Sequence, residues 1–189
     1  MTIAFLVVLA VVVLWVISAY NGLIALKNQV ANAWKQIDVQ LKRRHDLIPN
    51  LVNAVKGQMD FEKSTLEAVI SARAKAVGAT GVAATAKAEG ELSQALGKLF
   101  ALAENYPDLK SSANVLQLQE ELSSTENKVG FARQLYNDVA TQYNTRQAQF
   151  PTNLVAGLAK ASPSELWEIT DAGERQVPTV DLSLNRPAS

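Results

Sequence analysis

The side chains best suited to chemistry in this chain are few and clustered. Densest is Lys42-Arg43-Arg44-His45-Asp46, which holds the only histidine. Such a cluster can bind anionic lipid headgroups, dock onto the acidic face of a protein partner, or pair internally with carboxylates of another helix. Histidine is the side-chain type whose reference pKa suits a pH switch, although a lone histidine beside Arg44 and Asp46 is more simply solvated or paired. The carboxylate pairs Glu120-Glu121 and Glu89/Glu91 carry groups for a hard cation or for acid–base work. Helical residues one apart point about 100° from each other and residues two apart about 160°, so neither pair converges on one point by itself. A solvated helix face is the simpler account. Tyr136-Asn137 and Tyr143-Asn144 lie seven apart, with the tyrosines on a core seam and the asparagines placed to bond helix to helix.

Known catalytic patterns are missing. There is no Gly-rich phosphate loop, nucleophile elbow or His-Glu-x-x-His. Without cysteine, disulfides, iron–sulfur clusters and thiolate zinc sites are excluded; with one histidine, so is a His-rich metal site. Lys plus Arg and Asp plus Glu each number 18, and this zero net charge argues against nucleic acid. The sequence therefore predicts no catalytic, cofactor or metal residues. Lys42, Arg43, Arg44, His45 and Asp46 are the candidate partner-docking set, against the simpler reading of an ion-pair face in which Arg43 or Arg44 meets Glu120, Glu121 or Glu126.

The elements that position these residues begin with an apolar run. Thr2 to Ala19 carries no charge, and as a helix it is roughly 27 Å long, close to a bilayer's hydrocarbon thickness of about 30 Å. Trp15 and Tyr20 suit an interface at its end. No basic n-region precedes it and Ile17-Ser18-Ala19 is a poor cleavage site, so an uncleaved anchor is expected over a signal peptide. Lys27, Lys35, Lys42, Arg43 and Arg44 all follow the run, placing the amino terminus outside and the domain in the cytoplasm. Lys42 lies roughly 35 Å beyond Ala19 along a straight helix. Screening acts over about 8 Å, which removes simple lipid binding from that cluster.

Beyond the run, apolar residues recur at helical spacing. A first long helix carries Val30, Trp34, Ile37, Leu41, Ile48, Val52, Val55, Met59, Leu66 and Val69, with a kink expected near Lys42–Asp46 because Pro49 removes a donor, or a fresh helix capped by Asp46. Gly57 is a second candidate break, with continuity favoured. Gly78–Gly81 forms a turn; the next helix runs to about Tyr106, and Pro107-Asp108 is a stop. The third helix keeps a three–four alternation through Val115, Leu118, Leu122, Thr125, Val129, Ala132, Tyr136, Val139, Tyr143, Arg146 and Phe150. That phase carries it across the weak helix formers Leu122–Gly130 to about Gln149. A short helix to about Lys160 and an extended tail along the bundle complete the chain. The predicted fold is all-α: an N-terminal transmembrane helix plus an antiparallel bundle of three long helices and one short, divided as 1–20 anchor, 21–161 bundle and 162–189 tail.

The stretches Tyr20–Trp34 and Gln36–Val52 closely resemble the LemA family, as do Val55-Lys56-Gly57, Ala72-Arg73-Ala74, Glu104-x-Tyr-Pro-Asp-Leu-Lys110, Thr125-Glu-Asn127, both Tyr-Asn pairs and Phe150-Pro-x-Asn-Leu154. The likeness runs in order from Tyr20 to Leu184. It implies a single-pass bacterial membrane protein with a helical-bundle domain, no established catalytic activity and roles in membrane organisation; no site residues come with it. Ala156-Gly-Leu-Ala-Lys-Ala-Ser162 departs from the Gly/Phe/Lys-rich segment usual there.

The expectation is thus a non-enzymatic scaffold or adaptor on the cytoplasmic face of a bacterial inner membrane. Its partners are the membrane, other proteins and a candidate second copy of itself. The alternative is a regulatory subunit docking onto a membrane protease or other membrane enzyme through Arg43–Asp46.

Overall fold

A computed structural model describes residues 1–56 and 63–168, and within them it is helical with no strands. Helix α1 spans Thr2–Lys56, α2 Lys63–Gly78, α3 Val82–Ala103, α4 Pro107–Lys110, α5 Ala113–Ala148 and α6 Asn153–Ala156. Helix α1 is exposed through its apolar first part, which is long and apolar enough to cross a membrane. From Ala19 onward it buries Leu23, Val30, Ala33, Ile37, Leu41, Ile48, Leu51, Val52 and Val55, the stripe of a packed helix.

Three consequences correct the expectations. Helix α1 neither ends nor restarts at Asp46; Pro49 lies inside it. An interior proline costs about 3 kcal/mol. Ile48, Leu51, Val52 and Val55 around it are all buried, each contributing roughly 1.5–3 kcal/mol, so packing outweighs the defect. Pro107-Asp108 is not merely a stop, because Pro107 opens the one-turn helix α4, where its missing N–H would be unpaired in any case. The continuity expected across Gly57 is overturned. Arg73 on α2 reaches the His45 carbonyl on α1 at 2.7 Å, whereas a straight helix would set residues 28 apart about 42 Å from each other. The chain therefore turns back between Lys56 and Lys63; Gly57 itself lies outside the described residues.

Helix α1 packs along α5 and α2 along α3. Trp34 meets Tyr136 and Arg44 meets Glu126, so α1 and α5 run antiparallel in a single register. The same register aligns buried Val30 with Ala140, Leu41 with Val129, Ile48 with Leu122 and Val55 with Val115. Two apolar cores result. One joins the end of α1 (Ile48, Leu51) to α2, α3, α4 and the start of α5. The other joins the middle of α1 (Val30, Ile37, Leu41) to the later half of α5 (Val129, Tyr136, Tyr143) and to Trp167. The α2–α3 turn needs Gly81, whose φ of 85° and ψ of 163° are essentially closed to residues with a Cβ.

Candidate functional site

Between the two cores lies a polar layer. Arg44 and His45 on α1 fall between Leu41 and Ile48, Glu89 on α3 between Ala86 and Leu92, and Glu126 on α5 between Leu122 and Val129. Arg44 is 3% exposed and Glu89 2%. Arg44 Nη1 donates to Glu89 Oε2 at 3.1 Å, and Arg44 Nη2 to Ser93 Oγ at 2.8 Å. Nη1 also lies 2.9 Å from Glu126 Oε2, whose other oxygen accepts from Arg133 Nη2 at 3.1 Å. His45 Nε2 stands 2.6 Å from Glu89 Oε1. An ionised carboxylate only accepts, so that ring nitrogen carries the proton. A charge buried this deeply persists only when paired and hydrogen-bonded, and Glu89 supplies both conditions to Arg44 and His45 at once.

Arg73 on α2 completes the layer. Its Nε donates to the backbone oxygen of His45 at 2.7 Å. In a regular helix that carbonyl would accept from residue 49, but Pro49 has no N–H. A side chain from another helix thus fills the acceptor that the proline leaves open. This contact fastens α2 to α1.

The five residues of the candidate docking set therefore divide. Arg44 and His45 are buried and engaged with Glu89, whereas Lys42, Arg43 and Asp46 are exposed. Of the expected carboxylate partners, Glu126 meets Arg44, and Glu89, expected on a solvated face, is the main one. Its position was signalled in the sequence: Thr85, Glu89, Leu92, Leu96 and Leu99 alternate four–three, placing Glu89 on the seam. Glu91 is at the surface, 3.2 Å from Lys75.

Beside the layer is a groove of about 540 Å³ with Trp34, Asp38, Lys42, His45, Asp46 and Arg73 in its walls. Burial pushes the Asp38 carboxyl above its usual range. The groove mixes these cations, carboxylates and one indole face with the apolar side chains of Leu41, Ala76 and Val77.

The Tyr-Asn pairs hold something other than a neighbouring helix. Asn144 Nδ2 donates to the oxygen of Ser164 at 2.9 Å, and its Oδ1 accepts from Ser164 N at 2.8 Å. Asn137 repeats the arrangement with Trp167, at 3.0 and 2.8 Å. Seven helical residues rise about 10.5 Å, and three extended residues about 10 Å, so the two spacings match. The segment 161–168 is strapped antiparallel along α5 as an extended strand would be on a sheet edge. Tyr136 Oη adds a hydrogen bond to the oxygen of Glu165 at 2.7 Å; burial first, and then the Glu165 charge, push the Tyr136 phenol above its usual range. The strap ends on Trp167, buried against Trp34 with ring centroids 6.0 Å apart and under the Arg133 guanidinium at 5.4 Å. These bonds hold 161–168, the start of the expected tail, along the bundle; the alternating stretch Gln176–Leu184 from which an extended tail was expected lies outside the described residues.

Fold and site together define an all-helical protein with one candidate membrane span, a two-core bundle divided by a buried ion-pair layer, and a strapped extended tail. Comparison with known families matches residues 33–182 to the LemA family. The chain belongs to the LemA family. It is 31% identical over 138 residues to Protein LemA of Metamycoplasma hominis, covering 72% of this chain and 63% of that one. It is also 23% identical over 189 aligned positions to Magnetosome protein MamQ 2 of Paramagnetospirillum magneticum, covering 86% of this chain and 70% of that one, and 22% identical to Magnetosome protein MamQ of Magnetospirillum gryphiswaldense. The chain thus spans less than two thirds of the mycoplasmal protein's length.

Proposed function

We propose that this protein is a membrane-anchored scaffold or adaptor of a bacterial inner membrane, without catalytic activity, that displays a protein-docking surface at a fixed height above the bilayer. One observation carries the reading. The apolar span and the first bundle helix are a single helix, Thr2–Lys56, with Pro49 held in place by Arg73. A continuous helix transmits position and orientation, whereas a flexible linker would lose both. Arg43 then stands roughly 35 Å along the helix from Tyr20. The docking surface is the exposed set Lys42, Arg43 and Asp46, of which Lys42 and Asp46 line the groove. The basic residues following the span favour a cytoplasmic bundle. Two relatives are named as magnetosome proteins, which accords with service to membrane structures.

The test is a photocrosslinking residue placed at Arg43 or Asp46 of the full chain in intact cells, together with a topology reporter at the carboxyl end. Discrete protein adducts from these positions, and none from the exposed Lys98 on α3, are expected, with the reporter active in the cytoplasm. Equal labelling from all three positions would remove the docking surface. A purified full-length chain that turned over a substrate, with turnover lost on Arg43 substitution in a folded protein, would overturn the scaffold reading.

A further inference from the structure

Resting on the membrane-anchor reading, we infer that the α5–α6 corner is a second membrane contact: Phe150, Leu154 and Leu158 insert into the bilayer interface beside the anchor. Three independent observations meet here. The first is exposure. Phe150 is 79% exposed, Leu154 68% and Leu158 71%, while Thr152, Val155 and Ala159 between them are buried against the bundle. A segment that covers a bundle facing water turns its polar side outward; this one turns three large apolar side chains outward among the exposed Asn153 and Lys160.

The second is height. The register that pairs Arg44 with Glu126 and Trp34 with Tyr136 sets Phe150 level with Tyr20, where the apolar span of α1 ends. Helix α6 packs against both α1 and α5, and Ala19 and Leu23 are buried on that part of α1. Leu154 and Leu158 thus follow directly on the end of α5 that faces the apolar span, where Ile17 and Tyr20 are themselves exposed.

The third is charge. From Thr2 to Ile37 and from Val139 to Ser164 there is no Asp or Glu, although 18 acidic residues are present elsewhere in the chain. Lys27, Lys35, Arg146 and Lys160 are exposed at this end. A cationic, carboxylate-free surface around protruding aromatic and aliphatic side chains matches an anionic lipid surface, with the apolar groups reaching about 5–10 Å into the headgroup–acyl boundary. An acidic protein would use the cations but leave the three apolar side chains uncovered. Two attachment points, one spanning and one interfacial, fix the tilt of the bundle as a single helix cannot.

The absence of cysteine makes the test direct. Single-cysteine variants Phe150→Cys, Leu154→Cys and Leu158→Cys of the full chain carry an environment-sensitive fluorophore in vesicles of phosphatidylcholine with phosphatidylglycerol. Val12→Cys reports the anchor, and Phe131→Cys, 71% exposed and roughly 28 Å further from the bilayer, reports water. Blue-shifted emission at 150, 154 and 158, quenched by chain-labelled lipid and shielded from aqueous iodide like Val12→Cys, is the expected result. Emission and iodide quenching like those of Phe131→Cys, with Val12→Cys in lipid, overturns this inference and leaves the anchor standing. Iodide access at Val12→Cys itself removes the anchor reading and the inference with it. Spin labels at 154 that couple at short range between molecules would show a second copy on the patch, and this also overturns it.

Discussion

The contact between Arg73 and the His45 carbonyl makes a quantitative prediction, because it exists only on account of Pro49. Replacing Arg73 by Met keeps most of the apolar stem and removes the donor. The carbonyl of His45 is then left on a half-buried interface without its charged partner. A hydrogen bond to a charged group contributes roughly 1.5–3 kcal/mol, so Arg73→Met is expected to cost about 2 kcal/mol. For a domain of this size that corresponds to a fall in Tm of roughly 4–8 °C. Pro49→Ala restores a backbone N–H at that position, which can then donate to the His45 carbonyl as in a regular helix. In that background Arg73→Met should cost well under about 1 kcal/mol, giving a coupling of at least about 1 kcal/mol, a size usual for residues sharing one partner. Pro49→Ala alone should stabilise, by up to about 3 kcal/mol if the present helix is bent around the proline. Urea unfolding of the four full-length variants in detergent, followed by circular dichroism at 222 nm, measures every corner of the cycle. Equal costs of Arg73→Met in both backgrounds, within about 0.5 kcal/mol, would refute the role assigned to Arg73, whatever the absolute stabilities.

Further outcomes follow from the same physics. Glu89→Leu strands Arg44 and His45 and should cost about 3 kcal/mol, at the low end for a broken buried pair because Glu126 still faces Arg44; adding Arg44→Met should recover much of the loss, measured by the same unfolding assay. Tyr143 is 1% exposed and its hydroxyl has no hydrogen-bond partner among the described residues, so Tyr143→Phe should be neutral or stabilising, while Tyr136→Phe, which loses the bond to Glu165, should cost about 1 kcal/mol. Asn137→Ala with Asn144→Ala removes four bonds to the strap, and cleavage by protease within 161–168 should become faster by at least an order of magnitude, reflecting a loss of roughly 2 kcal/mol or more. Asp38 has a folded-state pKa above its unfolded value, so the folded protein binds the extra proton and stability falls as pH rises from the unfolded to the folded value; Asp38→Asn should flatten that acid-side slope and stabilise at neutral pH, read from urea midpoints across the acid range.

How far the sequence could be read depended on the length over which a pattern had to hold. Helix α5 was legible across its weak centre because Leu122, Thr125 and Val129 keep phase, and all three are buried. The same strict heptad then misplaces its far end. A straight helix drifts about 20° per heptad, and the five heptads from Val115 to Phe150 accumulate about 100°, one residue position. The observed seam accordingly moves from Val139 to Ala140 and from Arg146 to Gln147, and Phe150 lies beyond the helix, which ends at Ala148 with Gln149 extended. Glu89 was hidden for the opposite reason. Its spacing was that of a core residue, but its charge assigned it to solvent, and only the arrival of Arg44 and His45 from another helix reverses that balance. The Tyr-Asn pairs announced their spacing without naming what they hold, since a match of seven helical residues to three extended ones requires knowing that residues 161–168 return along α5. What sequence spacing alone could not supply was therefore mainly the identity of partners across helices. The helix end matters most for function: α5 stops at Ala148 and Gln149 turns extended, which leaves Phe150 an exposed side chain near the level of Tyr20, where the chain has apolar groups and cations but no carboxylate.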